Sequence, residues 1–225
     1  MNWEDECFLL AKRKFRENAN IINVFTKNRG KIVGIVFGGN SRKIRNYLQI
    51  SNKLFVINNS KNENKVGYLQ TELVEAVSPI YFNNKKKMSA LISFSSLLNS
   101  LLPEYQPQIQ LYKSFEKFIK NLKLENWILT YILLELNLIK ELGFDTDLGK
   151  FKKELNNDEY IKVNIDGRYY TVPSFLIDNE FPEKIEEKQI KSSLIFTRNL
   201  MLNNFFLPNN MQFPQSRVLF EKYFN

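Results

Sequence analysis

Five short runs of strand-forming residues, each closed by a turn signal, crowd into roughly the first eighty residues of this 225-residue chain. Strands that short and that numerous hide their apolar faces best by rolling into a small closed barrel. Phe8-Leu9-Leu10 leads into residues that alternate as far as Phe15, and residues 21–26 are apolar and β-branched. Asn28-Arg29-Gly30 then supplies a turn before residues 31–37, so the two runs read as a hairpin. Gly38-Gly39-Asn40-Ser41 breaks the pattern, and residues 54–57 and 66–74 give two more strands around the polar loop 58–64. A five-stranded OB-type barrel has this size, and its open face commonly binds single-stranded nucleic acid. An SH3-like barrel would leave the same pattern.

From Asn83 the character changes. The run Asn83-Asn84-Lys85-Lys86-Lys87 reads as a domain junction, and helices are predicted beyond it. Residues 88–102 are apolar at helical spacing and stop at Pro103; Pro107 opens a second helix to about residue 122, and residues 127–142 make a third with Gly143 at its cap. Pro182, with Glu183, Glu186 and Glu187 behind it, starts a long helix to about Phe206, and Pro214 starts a short last one. One segment breaks the helical run: Ile161, Val163 and Ile165 alternate with polar residues before Asp166-Gly167 and residues 169–172, a strong hairpin signal. The expected class is therefore α+β. An OB-type domain at 1–80 precedes a helical domain at 81–225, which carries a hairpin insertion at about 147–181.

Composition narrows the chemistry. The chain has one cysteine, Cys7, and no histidine, so it has no internal disulfide framework and cannot assemble the usual zinc ligand sets. Without histidine the Ser-His-Asp and Cys-His arrangements are absent. Gly30, Gly34, Gly38 and Gly39 are followed by neither a phosphate-loop ending nor a dinucleotide fingerprint. No catalytic residue, metal or cofactor is expected. Met1-Asn2-Trp3-Glu4-Asp5-Glu6 is acidic where a secretory signal is basic. The longest apolar stretch, residues 127–139, is shorter than a bilayer span and holds Glu135. A cytoplasmic, nucleoid-associated protein fits these features.

Charge points to a polyanion. The net charge is +8, and residues 1–79 hold 13 Lys/Arg against 7 Asp/Glu, whereas residues 80–225 hold 19 against 17. Between Lys12 and Lys53 the only acid is Glu17. Such a field attracts nucleic acid or an anionic membrane. The candidate phosphate contacts fall in three groups: Lys12, Lys14 and Arg16, on one face of the first strand if it stays regular; Lys27, Arg29 and Lys31, around the hairpin turn; and Arg42, Lys43 and Arg45, after the glycines. Phe15, Phe37, Tyr47, Phe55 and Tyr68 either stack on bases or fill the barrel, and Tyr47, beside the basic loop, is the preferred stacking residue. Cys7, within an apolar strand and beside acids, reads as core packing. In the helical half Lys113, Lys117 and Lys120 form a stripe at i, i+4, i+7, where the acidic tail of a partner fits.

Several strings, in order and at matching separation over nearly the whole chain, resemble the bacterial DNA repair family RecO. They are Trp3-Glu4-Asp5-Glu6, Gly38-Gly39-Asn40-Ser41-Arg42, Leu101-Leu102-Pro103-Glu104, Leu111-Tyr112 and Glu141-Leu142-Gly143-Phe144. The resemblance implies an N-terminal OB domain, a helical C-terminal domain, binding of single- and double-stranded DNA, and annealing of complementary strands. It implies RecR and the C-terminal tail of single-stranded-DNA-binding protein as partners, and no membrane. The chain departs from the family where many members carry a four-cysteine zinc module: Phe151 stands near the first ligand position, and the Asp166-Gly167 hairpin holds the segment without metal. Asn40 also replaces a basic residue common in the glycine run. Two other classes fit the charge alone, a metal-independent nuclease and an adaptor that binds anionic membranes.

Overall fold

In the computed structural model, which describes residues 2–39, 41–59, 66–144, 147–155 and 158–224, the five expected strands are β1 (Asn2–Phe15), β2 (Ala19–Thr26), β3 (Gly30–Phe37), β4 (Lys53–Asn59) and β5 (Gly67–Glu75). They close into a barrel of order β1-β2-β3-β5-β4. All neighbours are antiparallel except β3 and β5, which pair in parallel through Gly34 with Gly67 and Ile35 with Tyr68. A parallel closure between the third and fifth strands, with a helix between the third and fourth, is the OB arrangement. It removes the SH3-like alternative. Asn40 and most of the polar loop, residues 60–65, lie outside the described residues.

Period-two alternation decides what fills the barrel. Cys7 and Leu9 of β1, Ile22 and Val24 of β2, Ile32 and Val36 of β3, and Leu54 and Val56 of β4 point inward and are buried. Burial pushes the Cys7 thiol well above its ordinary range, with Asp5 and Glu6 adding to it, so the sulfur is protonated core packing. The helix α1 (Arg42–Tyr47), capped by the Ser41 hydroxyl, places Ile44 and Tyr47 against this core at one barrel end. At the other end the Asp5 carboxylate accepts from the Asn28 amide at 2.7 Å and its side chain at 2.8 Å, which fixes the β2–β3 turn.

β1 does not stay regular. Its register on β2 slips between Leu9 and Ala11, so Leu10 is a bulge. An extra residue reverses the faces beyond it. Lys12 and Lys14 now stand opposite Ile22 and Asn20, on the inward-facing side near the barrel end, while Arg13 and Phe15 face out opposite Ile21 and Ala19. Arg16 leaves the strand altogether, with φ at +57° in the turn.

Two compact units are present, Met1–Lys113 with Pro214–Phe220 and Ser114–Phe213 with Glu221–Asn225. In the first, α2 (Lys85–Leu101) lies on the barrel, its Asn99 side chain accepting from Asn23 at 2.6 Å and Ser95 hydrogen bonding Ser51 at 2.8 Å. Tyr112, near the start of α3 (Ile109–Asn121), meets Phe8 and Phe25 with ring centroids 5.1 and 5.4 Å away. In the second unit α4 (Trp127–Glu141) and α6 (Glu187–Met201) are joined by the Thr197 hydroxyl, which donates to the buried Glu135 at 2.6 Å.

The hairpin β6 (Tyr160–Ile165) and β7 (Arg168–Pro173) turns at Asp166 and Gly167, both at positive φ as an Asp-Gly turn requires. Short α5 (Phe175–Asp178) follows β7, and α7 (Gln215–Glu221) follows Pro214. The helix expected from Pro182 begins only at Glu187: Glu186 is extended and forms a capping box with Gln189, which satisfies free amides of the first turn. Its expected last turn is a π-helical stretch at Leu202–Phe206. Among the described residues no helix is long and apolar enough to cross a membrane, and no group of three or more His, Cys, Asp or Glu is placed to hold a metal ion.

Candidate nucleic-acid interface

The outward-facing residues of β1, β2, β3 and β5 form two rows across the barrel wall. One runs Phe15, Ala19, Phe37; the next runs Arg13, Ile21, Ile35, Tyr68. Phe37 and Tyr68 end these rows side by side, 56% and 49% exposed, with rings stacked at 4.9 Å and 24°. Large aromatic faces left in water on a barrel wall offer stacking surface to any base. The Arg16 guanidinium lies 5.2 Å from the Phe15 centroid, bringing a cation to the same end of the wall.

The turn carrying Arg16 is joined to the loop after β3, where the Gly38 amide donates to the Asn18 carbonyl at 2.8 Å. Gly38 sits at φ +67°, which aims the chain into α1. Arg42, Lys43 and Arg45 of α1 are exposed, whereas Ile44 and Tyr47 pack inward. The fold thus gathers Lys14, Arg16, Arg42, Lys43 and Arg45 with the aromatic pair toward one barrel end. Lys12 is there too, but its ammonium donates to the Leu48 carbonyl beyond the end of α1. Burial, and then Arg45, lower its pKa.

Lys27, Arg29 and Lys31 belong to the opposite end, one strand length away, about 25 Å for eight residues of β2. Lys27 is exposed, and Arg29 covers the Trp3 ring at 5.1 Å. Lys31 donates to the Asn99 carbonyl at 3.0 Å, in the last turn of α2, where a cation complements the helix dipole. Burial lowers its pKa, with Glu104 opposing. The three groups of cations are therefore two, at separate ends. On α3, Lys113, Lys117 and Lys120 are exposed while Leu111, Phe115 and Phe118 are buried.

Tyr47 has a local role. Its hydroxyl donates to the Thr71 carbonyl at 2.7 Å, tying α1 to β5, and its ring lies on the core. Tyr47→Phe is expected to cost about 1 kcal/mol of stability, the ordinary worth of one hydrogen bond, and to leave oligonucleotide affinity unchanged. Chemical denaturation and fluorescence anisotropy measure the two separately. The Phe37 and Tyr68 pair could have been seen in sequence only by knowing that β3 and β5 are neighbours. Both residues stand at strand ends next to glycine, and nothing local marks them as exposed.

Two family models match the chain: Recombination protein O N terminal over residues 1–77 and Recombination protein O C terminal over residues 84–150. A protein named DNA repair protein RecO from Wolbachia sp. subsp. Drosophila simulans (strain wRi) is 31% identical over 240 residues, covering 97% of this chain and 98% of the relative. Another of that name, from Wolbachia pipientis subsp. Culex pipiens (strain wPip), is 37% identical over 152 residues, 67% of this chain and 62% of the relative. A third, from Caulobacter vibrioides (strain NA1000 / CB15N), is 24% identical over 233 residues, 97% of this chain and 95% of the relative.

Proposed function

Because this chain belongs to the recombination protein O family of DNA repair proteins, we propose that it is a recombination mediator that binds single- and double-stranded DNA and anneals complementary strands. It acts by holding DNA, without catalytic chemistry of its own. The observation that carries this is the exposed Phe37 and Tyr68 pair on the barrel wall, at the end where Lys14, Arg16, Arg42, Lys43 and Arg45 gather. Bases stack on the rings while the cations hold the backbone, the combination used for single strands. Residues 1–80 are the DNA-binding module, and Lys27, Arg29 and Lys31 give a weaker contact at the far end. The absence of histidine and the single cysteine support a hairpin segment at 147–181 that needs no zinc.

The partners we assign are RecR and the C-terminal tail of single-stranded-DNA-binding protein. The exposed lysines of α3 suit the acidic tail. Its cellular place is the cytoplasm, on the nucleoid.

The test is annealing of complementary strands precoated with single-stranded-DNA-binding protein. The Arg42→Ala/Lys43→Ala/Arg45→Ala variant is expected to anneal more slowly. Its plot of log K against log salt should be shallower by about 2 to 3, one coefficient of about 0.7 to 0.9 for each phosphate contact removed. An unchanged slope removes these residues from the interface. Absence of annealing by the unaltered protein overturns the function itself.

A further inference from the structure

In the second unit, cations and an exposed aromatic meet around a cleft of about 380 Å³ between β7 and α6. Tyr169 stands at its rim, 69% exposed, the highest value of any large hydrophobic side chain among the described residues. The Lys162 ammonium lies 5.7 Å from its ring centroid. Along α6, Lys188, Lys191, Ser192, Ile195 and Asn199 recur at helical spacing and line the opposite wall, so two cations and two neutral hydrogen-bonding side chains face the space. Among the described residues no carboxylate lines it. Glu187 precedes this face and is not part of the lining. The larger cavity of about 810 Å³ beside α4 has no such bias, because Lys140 and Asp147 both line it.

The rim is held in place. Tyr170, next to Tyr169, packs edge-on against Phe196 of α6 with centroids 5.8 Å apart, and its hydroxyl accepts from the Asn203 side chain at 3.1 Å. Arg168 donates to the Asn203 carbonyl at 3.3 Å. The hairpin therefore presents Tyr169 from a fixed base, which lowers the entropy lost when a ligand stacks on it.

We propose that this cleft is a second site for single-stranded nucleic acid, with a base on Tyr169 and successive phosphates on Lys188 and Lys191. It rests on the reading of the barrel as the first strand's site, and it adds a place for a second strand on the same chain, which annealing needs. An acidic peptide would also meet the lysines. Nucleic acid is favoured because the ring is a flat, exposed face beside a cation, and because Thr171, Ser192 and Asn199 match the neutral donors and acceptors of base edges.

The experiment uses the full chain and a short oligothymidylate, with a bromodeoxyuridine version for photocrosslinking. Four variants are compared: Lys188→Ala/Lys191→Ala, Tyr169→Ala, Tyr169→Phe and Phe37→Ala/Tyr68→Ala. The unaltered protein is expected to bind about two equivalents, because each stacking platform holds its own stretch of strand. The barrel variant should lose one. The lysine pair and Tyr169→Ala should lose the other, with a roughly tenfold drop in annealing rate, a value within the range of one stacked base. Crosslinks should map to Tyr169, and Tyr169→Phe should retain binding, which also reports that the hairpin folds. If the cleft variants keep both equivalents, full annealing and barrel-only crosslinks, the proposal is overturned while the barrel site stands. Loss of binding to an acidic peptide alone, with both oligonucleotides retained, also overturns it. No oligonucleotide binding by the unaltered protein removes both sites together.

Discussion

Replacing Phe37 and Tyr68 together by alanine is expected to weaken single-stranded DNA binding roughly a hundredfold, since a stacked base is worth about 1 to 3 kcal/mol and about 1.4 kcal/mol is a factor of ten. Thermal stability should scarcely change, because both rings are about half exposed and fill no interior space. The two rings touch, so the single variants are not expected to add: removing one leaves the other without its neighbour as well as the base without half its platform. Neither residue carries charge, so the dependence of affinity on salt should keep its slope. That separates this variant from loss of Arg42, Lys43 and Arg45, which is expected to change the slope. An affinity within twofold of the unaltered protein, with the fold intact, would remove the aromatic pair from the interface.

Gly30→Ala should be among the most destabilising single changes in the first unit. Gly30 turns β2 into β3 at φ +75°, and a Cβ built there falls 1.9 Å from the Gln106 carbonyl oxygen and 2.5 Å from its carbon. Backbone cannot step aside like a flexible side chain. The segment it would strike is fastened beside it, with the Tyr105 amide donating to the Lys31 carbonyl at 3.0 Å. Overpacking of about 1 to 3 kcal/mol adds to a left-handed backbone cost of about 1 to 2 kcal/mol, giving about 3 kcal/mol in all. Gly167→Ala is the control, with φ +80° and nothing within 4 Å of the new atom. It should show only the backbone cost. Urea midpoints that shift equally for both variants would show that the contact with Gln106 is not what makes Gly30 necessary.

Much of the fold was legible because the barrel and the helices each repeat one period. Inward positions such as Ile22, Val24, Leu54 and Val56 follow strict alternation, and α3 separates Leu111, Phe115 and Phe118 from Lys113, Lys117 and Lys120 at helical spacing. What stayed hidden depends on contacts that no local window contains. The bulge at Leu10 leaves no composition signature, yet it exchanges the faces of Lys12 and Arg13. The helix at Arg42–Tyr47 is too short to show a period, and it is stabilised by plugging a barrel end with Ile44 and Tyr47. The candidate interface was legible as a charge bias but not as a place. Alternation alone cannot tell that Lys12 and Lys31 spend their charge on the Leu48 and Asn99 carbonyls, or that residues 37 and 68 become neighbours.

Among the described residues the barrel closes through two residue pairs between β3 and β5. A seam that short is where amide hydrogens should exchange soonest, because opening it breaks few bonds and leaves the antiparallel ladders whole. Phe37 stands on one lip and Tyr68 on the other. A strand whose bases lie across both rings is therefore a clasp: by mass action, occupancy that requires the lips together must hold them together. Exchange at Ile35 and Tyr68 should slow in proportion to bound DNA while the far hairpin turn keeps its own rate, so the tightness of the seam reports how fully the wall is occupied.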